Sequence, residues 1–182
     1  MPVWSRTLVG LRRTLQSDPE RLRRIQVLPE FQTPQEVKIP GADRILTYEI
    51  SGDSHGFPIF LHHGMPGSSS GPRPRNAVLY RSSIKLVSYS RPGYGRSTRS
   101  PGRTVADAAR DVAVLADHLG FEKFAIMGRS GGGPLACAAL LPDRVLRAAV
   151  LASFAPAEAV DLDWDDEMVG SNCWARRTRT RS

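Results

Sequence analysis

The tightest constraint on this chain is a single corner. Phe124-Ala125-Ile126-Met127 is a short apolar run of the kind that forms a buried strand, and Leu135 to Leu141 is a run of helix formers. Between them lies Gly128-Arg129-Ser130-Gly131-Gly132-Gly133, whose first five residues fit G-x-S-x-G between strand and helix. Glycines at 128 and 132 let neighbouring backbone approach, and the serine between them is expected in a strained conformation. Its hydroxyl would then stand above the sheet at a helix N-terminus, where free N–H groups favour developing negative charge. A dinucleotide fingerprint fails here because Ser130 occupies the middle glycine position. A phosphate-binding loop fails because Pro134 and Leu135 follow Gly133, where Lys and Ser/Thr are needed. The remaining alternative is a glycine-rich helix start in which Ser130 only caps.

Around this corner the chain alternates. Gln35 to Ile39 and Ile45 to Ile50 are β-rich and flank the turn Pro40-Gly41-Ala42-Asp43, which predicts a hairpin. Phe57 to His63 is a strand running into Gly64-Met65-Pro66-Gly67-Ser68, and a weak helix is predicted over Asn76 to Ser82. The strand Ile84 to Ser88 leads into Ser90-Arg91-Pro92-Gly93-Tyr94-Gly95-Arg96-Ser97. Thr104 is predicted to cap a helix, with Asp107 completing an approximate capping box. Val105, Ala108, Ala109, Val112, Leu115, Ala116 and Leu119 give that helix one apolar face, and Gly120 stops it. After the serine corner comes one more apolar strand, Val145 to Ala152. Such alternation calls for an α/β fold, mostly a parallel sheet with helices on both faces, its loops meeting a ligand at the C-terminal strand ends.

Charge and cysteine content narrow the partners. The net charge is +7, and the 31 residues from Arg73 to Arg103 hold eight basic residues and no acid. Those arginines are interleaved with Pro, Gly and Ser rather than with stacking aromatics, so a solvated basic face is expected and no specific nucleic-acid partner. Cys137 and Cys173 form no C-x-x-C and are too few for a disulfide framework, which points to a reducing, cytoplasmic setting. No apolar run approaches the roughly 18 residues of a membrane span. His62 and His63 alternate sides of their strand and cannot easily share a metal ion, so no metal is expected. His55 reads as a loop histidine, and His118 as a capping or solvated one.

With its three loops in order, the chain resembles the α/β-hydrolase fold superfamily, in its esterase, aminopeptidase and haloperoxidase-like branch. His63-Gly64-Met65-Pro66-Gly67 is similar to that branch's H-G-x-P-G oxyanion loop, Arg91 to Ser97 to its R-P-G-x-G-x-S loop, and Gly128 to Gly132 to its nucleophile elbow. The resemblance implies that Ser130 is a nucleophile attacking an ester, thioester or amide of a small acyl substrate, with no cofactor. It implies an oxyanion hole from the backbone N–H groups of Met65 and Gly131, with His63, Gly64, Gly128 and Gly132 shaping the supporting loops. Arg129 would orient the elbow, meet a substrate anion or form a surface salt bridge.

The sequence also departs from that pattern. The superfamily's triad runs serine, acid, histidine along the chain, yet no histidine follows Ser130. Ser90 stands where an acid usually precedes the arginine, which removes an expected loop-fixing pair. The resemblance covers about Gln35 to Ala152, a partial α/β-hydrolase fold lacking its last strands and lid. Three regions follow: a helical extension over 1–34, the core over 35–157, and an acidic then basic tail over 158–182, expected to be disordered. The tail's abrupt change of character suggests a truncated chain, weakly active or inactive alone. Its last strand would be an exposed apolar edge prone to self-association. A non-catalytic binding module of the same fold is the alternative.

Overall fold

The computed structural model of the chain describes residues 33–104, 106–132 and 141–152. The predicted N-terminal helices, Val105, the helix after the serine corner and the tail lie outside the described residues.

Among the described residues six strands form one sheet: β1 Gln35–Lys38, β2 Ile45–Gly52, β3 Phe57–His62, β4 Ile84–Tyr89, β5 Phe124–Arg129 and β6 Val145–Leu151. Their order across the sheet is β1-β2-β4-β3-β5-β6. The predicted hairpin is present, with β1 antiparallel to β2 from Gln35↔Tyr48 to Lys38↔Ile45. β2 joins β4 antiparallel, and the β4, β3, β5 and β6 neighbours are all parallel. β3 therefore lies between the two strands that follow it in sequence.

The two faces carry different helices. Phe60, Val87, Tyr89, Phe124 and Ile126 pack on one face against Val112, Leu115 and Ala116 of helix α2 (Asp107–His118). Phe60 and Phe124 meet edge to face at 4.8 Å between ring centroids, an arrangement aromatic pairs favour. On the other face Leu61 and Leu86 pack with Leu79 of the short helix α1 (Asn76–Arg81). Period-2 alternation along each strand is what sorts these residues to opposite faces.

The apolar stripe on α2 is as predicted, but its start is not. The capping residue is Ala106, with no side-chain cap. The Asp107 carboxylate instead reaches back, accepting from the Thr104 N–H at 2.7 Å and its hydroxyl at 2.9 Å. Only the returning half of the capping box forms, because Thr104 lies two residues before the capping position Ala106. The C-terminus follows prediction. Gly120 has φ +72°, and the Gly120 and Phe121 N–H groups donate to Asp117 and Ala116 carbonyls, a pairing that satisfies the last turn.

Among the described residues β6 is the last strand of the sheet, and nearly all of it is exposed, including Leu146, Val150 and Leu151. Among the described residues no helix is long and apolar enough to cross a membrane.

Candidate active site

Because β4, β3 and β5 are adjacent and parallel, their C-terminal ends and following loops converge. His62 is in register with Tyr89 on one side and Gly128 on the other. This brings together the three motifs that lie far apart in sequence.

Ser130 opens a 3₁₀ turn, Ser130–Gly132, directly after β5, and its φ is +52°. That is the left-handed region, which costs a residue with a Cβ about 1–2 kcal/mol. The loop after β3 lies against it. A Cβ on Gly64 would sit 3.3 Å from the Ser130 Cβ and 3.3 Å from the Arg129 carbonyl oxygen. A Cβ on Gly131 would sit 3.1 Å from the Met65 Cβ and 3.7 Å from the Met65 nitrogen. The two backbone segments that carry Met65 and Gly131 thus meet beside the serine. Gly128 is buried at the end of β5. Met65 is 65% exposed, so it is not a core residue. Its peptide bond to Pro66 is cis.

His63 shapes this loop through both ring nitrogens. Nδ1 lies 2.7 Å from the Gly64 carbonyl oxygen, and Nε2 accepts the Arg91 N–H at 3.1 Å. An acceptor at one nitrogen and a donor at the other fix the neutral tautomer with its proton on Nδ1. Burial, together with the positive charges of Arg91 and Arg103, outweighs the Gly64 hydrogen bond and pushes the His63 pKa down to about 4. His62 points to the α2 face, with Nδ1 3.2 Å from the Tyr89 hydroxyl. Burial first, then the Arg91 and His63 charges, lower its pKa to about 3. His118 lies at the far edge, its Nε2 3.2 Å from the Tyr48 hydroxyl and its ring edge-on to Tyr48.

The arginines from 73 to 103 do not form a uniformly solvated face. Arg91 is 4% exposed, donates to the Gly64 carbonyl at 3.1 Å and stacks its guanidinium over Tyr94. Arg73 pairs at 2.7 Å with Glu49, which is buried in the middle of β2. Glu49 also accepts from the Ser69 hydroxyl at 3.0 Å and from the Ser70 hydroxyl. Burial alone would raise the Glu49 pKa. The Ser70, Arg73 and Ser69 hydrogen bonds and the Arg73 charge overcome it and hold the carboxyl below its ordinary value. This clamp anchors residues 69–73, the continuation of the His63-Gly64 loop.

Ser90, where the missing acid was expected to leave the loop without a fixing pair, holds it by two hydrogen bonds. Its Oγ accepts the Ser69 N–H at 2.9 Å, and its carbonyl accepts the Ser97 hydroxyl at 2.6 Å. The loop after β4 is therefore fixed without an acid at position 90. Neither Glu49 nor Ser90 was marked as a site residue by sequence reasoning. The signal for Glu49 was an acid inside a β-rich run; for Ser90 it was the position just before Arg91, where an acid is usual.

Arg129 is exposed beside Ser130 and lines a cavity of about 290 Å³ between the sheet and residues 64–74. Among the described residues its side chain makes no hydrogen bond or ion pair.

A family model for the alpha/beta hydrolase fold matches residues 58–179. The chain is 36% identical over 123 residues to a protein named putative carbamate hydrolase RutD from Azorhizobium caulinodans, covering 65% of this chain and 44% of that protein. It is 35% identical over 101 residues to a bifunctional esterase/perhydrolase from Acinetobacter calcoaceticus, covering 54% and 37% respectively. The fold is similar to that of the solved epoxide hydrolase CorEH, with a TM-score of 0.63 at 23% identity over 80% of this chain and 50% of that one. The chain thus spans less than half the length of the curated relatives it matches.

Proposed function

The chain belongs to the α/β-hydrolase fold family, and from that premise we propose that Ser130 is the nucleophile of a small-molecule acyl hydrolase. The substrate class is an ester, thioester or amide, consistent with relatives named for carbamate and ester hydrolysis. Ser130 Oγ adds to the carbonyl carbon, the leaving group departs with a proton, and water then releases the acyl group from the serine. The developing oxyanion is received by the Met65 and Gly131 N–H groups, each donor typically worth about 3 kcal/mol. The observation that carries this reading is Ser130 at φ +52° against the glycine approach of Gly64 and Gly131. A fluorophosphonate probe should label the wild-type chain and spare Ser130→Ala; equal labelling of both would remove the serine from its role.

A second reading, a non-catalytic binding module of the same fold, is favoured by the histidines. His63 is held neutral with both nitrogens engaged, His62 is buried against Tyr89, and His118 sits on Tyr48. None follows Ser130 in the chain, where the family's general base belongs. Loss of that base commonly costs about 10⁴-fold in kcat, so turnover by this chain is expected to be weak or absent. Hydrolysis of a p-nitrophenyl ester that disappears in Ser130→Ala would end the second reading.

A further inference from the structure

The cavity between the sheet and residues 64–74 has a floor laid out by strand register. Ser88 is paired with Leu61, and Leu61 with Met127, so the three form one row across β4, β3 and β5. At about 4.8 Å per strand that row is roughly 10 Å long. Arg129 and Leu151, themselves paired, lie two residues further toward the strand ends, about 7 Å on. All five residues line the cavity, and so does Arg73, the partner of Glu49.

The polar groups of this cavity are unequal. Ser88 is 2% exposed and lines the cavity, and its buried hydroxyl has no hydrogen-bond partner. A buried hydroxyl left this way costs about 1–3 kcal/mol, a cost that a bound polar group would remove. Arg73 is neutralised by Glu49, and His63 is neutral, so Arg129 leaves the rim with one net positive charge. Between these two ends the surface is apolar, formed by Leu61, Met127 and Leu151.

We propose that this cavity binds a small monocarboxylate carrying a hydroxyl or oxo group at its far end. The carboxylate pairs with Arg129 at the rim, the chain lies on Leu61 and Met127, and the far oxygen reaches Ser88. A body of about six carbons suits the spacing. The site does not require Ser130 to be a nucleophile, so binding is measured separately from labelling or turnover.

The test is calorimetric titration of the chain with 6-hydroxyhexanoate, hexanoate and 1,6-hexanediol. 6-Hydroxyhexanoate is expected to bind most tightly, at about millimolar affinity for a ligand of this size. Arg129→Gln should weaken both carboxylates about tenfold and leave the diol unchanged, as loss of one charge-assisted contact does. Ser88→Ala should make 6-hydroxyhexanoate and hexanoate equal. No binding of the hydroxy acid by about 10 mM overturns the proposal. Carboxylate affinities that are the same in wild type and Arg129→Gln also overturn it, and that variant changes only an exposed side chain, so its folding is not at issue. If Ser88→Ala fails to fold, the wild-type preference for 6-hydroxyhexanoate over hexanoate decides the Ser88 contact, and equal binding overturns it.

Discussion

The backbone N–H of Arg91 donates to His63 Nε2 at 3.1 Å, tying the loop after β4 to the loop after β3. The same arginine's guanidinium donates to the Gly64 carbonyl, which also lies 2.7 Å from His63 Nδ1. The glycine that touches Ser130 is thus held from two sides, and the holding depends on an uncharged imidazole.

That dependence gives a pH signature. His63 and His62 have folded pKa values of about 4 and about 3, below the ordinary 6.5. Between those values and 6.5 the unfolded chain binds more protons than the folded one, so stability rises with pH across that window. The contribution is complete above about pH 6.5 and is lost as pH falls toward 4. The melting temperature followed by circular dichroism should drop by several degrees between pH 7 and 4.5. His62→Phe, which keeps a ring against Tyr89, should shrink the drop; a flat wild-type profile would contradict the assignment.

The Glu49 clamp predicts a large effect from one carboxylate. Glu49→Ala removes the carboxylate that pairs with Arg73, only 13% exposed, and that accepts from two serine hydroxyls. Breaking a buried pair in this way typically costs about 3–5 kcal/mol. Urea denaturation should show a lowered midpoint, with Glu49→Gln between the two. The Glu49 contribution is present above the ordinary carboxylate value of 4.5 and is lost as pH falls below it. A midpoint unmoved in Glu49→Ala would mean the clamp bears no weight.

Strain at the corner sets stability against chemistry. Ser130 at φ +52° should accept glycine with a gain of about 1 kcal/mol, since glycine adopts that region without a Cβ clash. Ser130→Gly is expected to melt higher than wild type while losing all fluorophosphonate labelling. A lower melting temperature would show that hydrogen bonding by the hydroxyl outweighs the strain.

The edge at β6 predicts association of this chain alone. Leu146, Val150 and Leu151 are each close to half exposed along a strand that, among the described residues, has a neighbour on one side only. Sedimentation should detect concentration-dependent oligomers, and Val150→Lys should shift the distribution toward monomer. A wild-type monomer across the accessible concentration range would remove the prediction.

Much of the fold was legible because it rests on local patterns. β-rich and apolar runs bounded by turn residues marked all six strands within one or two residues. The stripe Ala108, Val112, Leu115, Ala116 marked α2, and Gly120 its end. The capping reading missed because which residue closes a first turn depends on a shift of one or two positions that spacing alone does not resolve. The basic stretch misled because sequence counts charges but not the directions they face. Arg91 turns inward over Tyr94 and Arg73 toward Glu49, a partner 24 residues away.

By itself the sequence determined the alternation of elements, the three glycine-rich loops and the strained serine between strand and turn, because each is set by neighbours in the chain. Only the tertiary structure decided that β3 lies between β4 and β5, and so that Gly64 touches Ser130 and Arg91 braces His63. Those contacts join residues tens of positions apart, and side-chain burial, register and partner choice across such separations are fixed only when the sheet assembles.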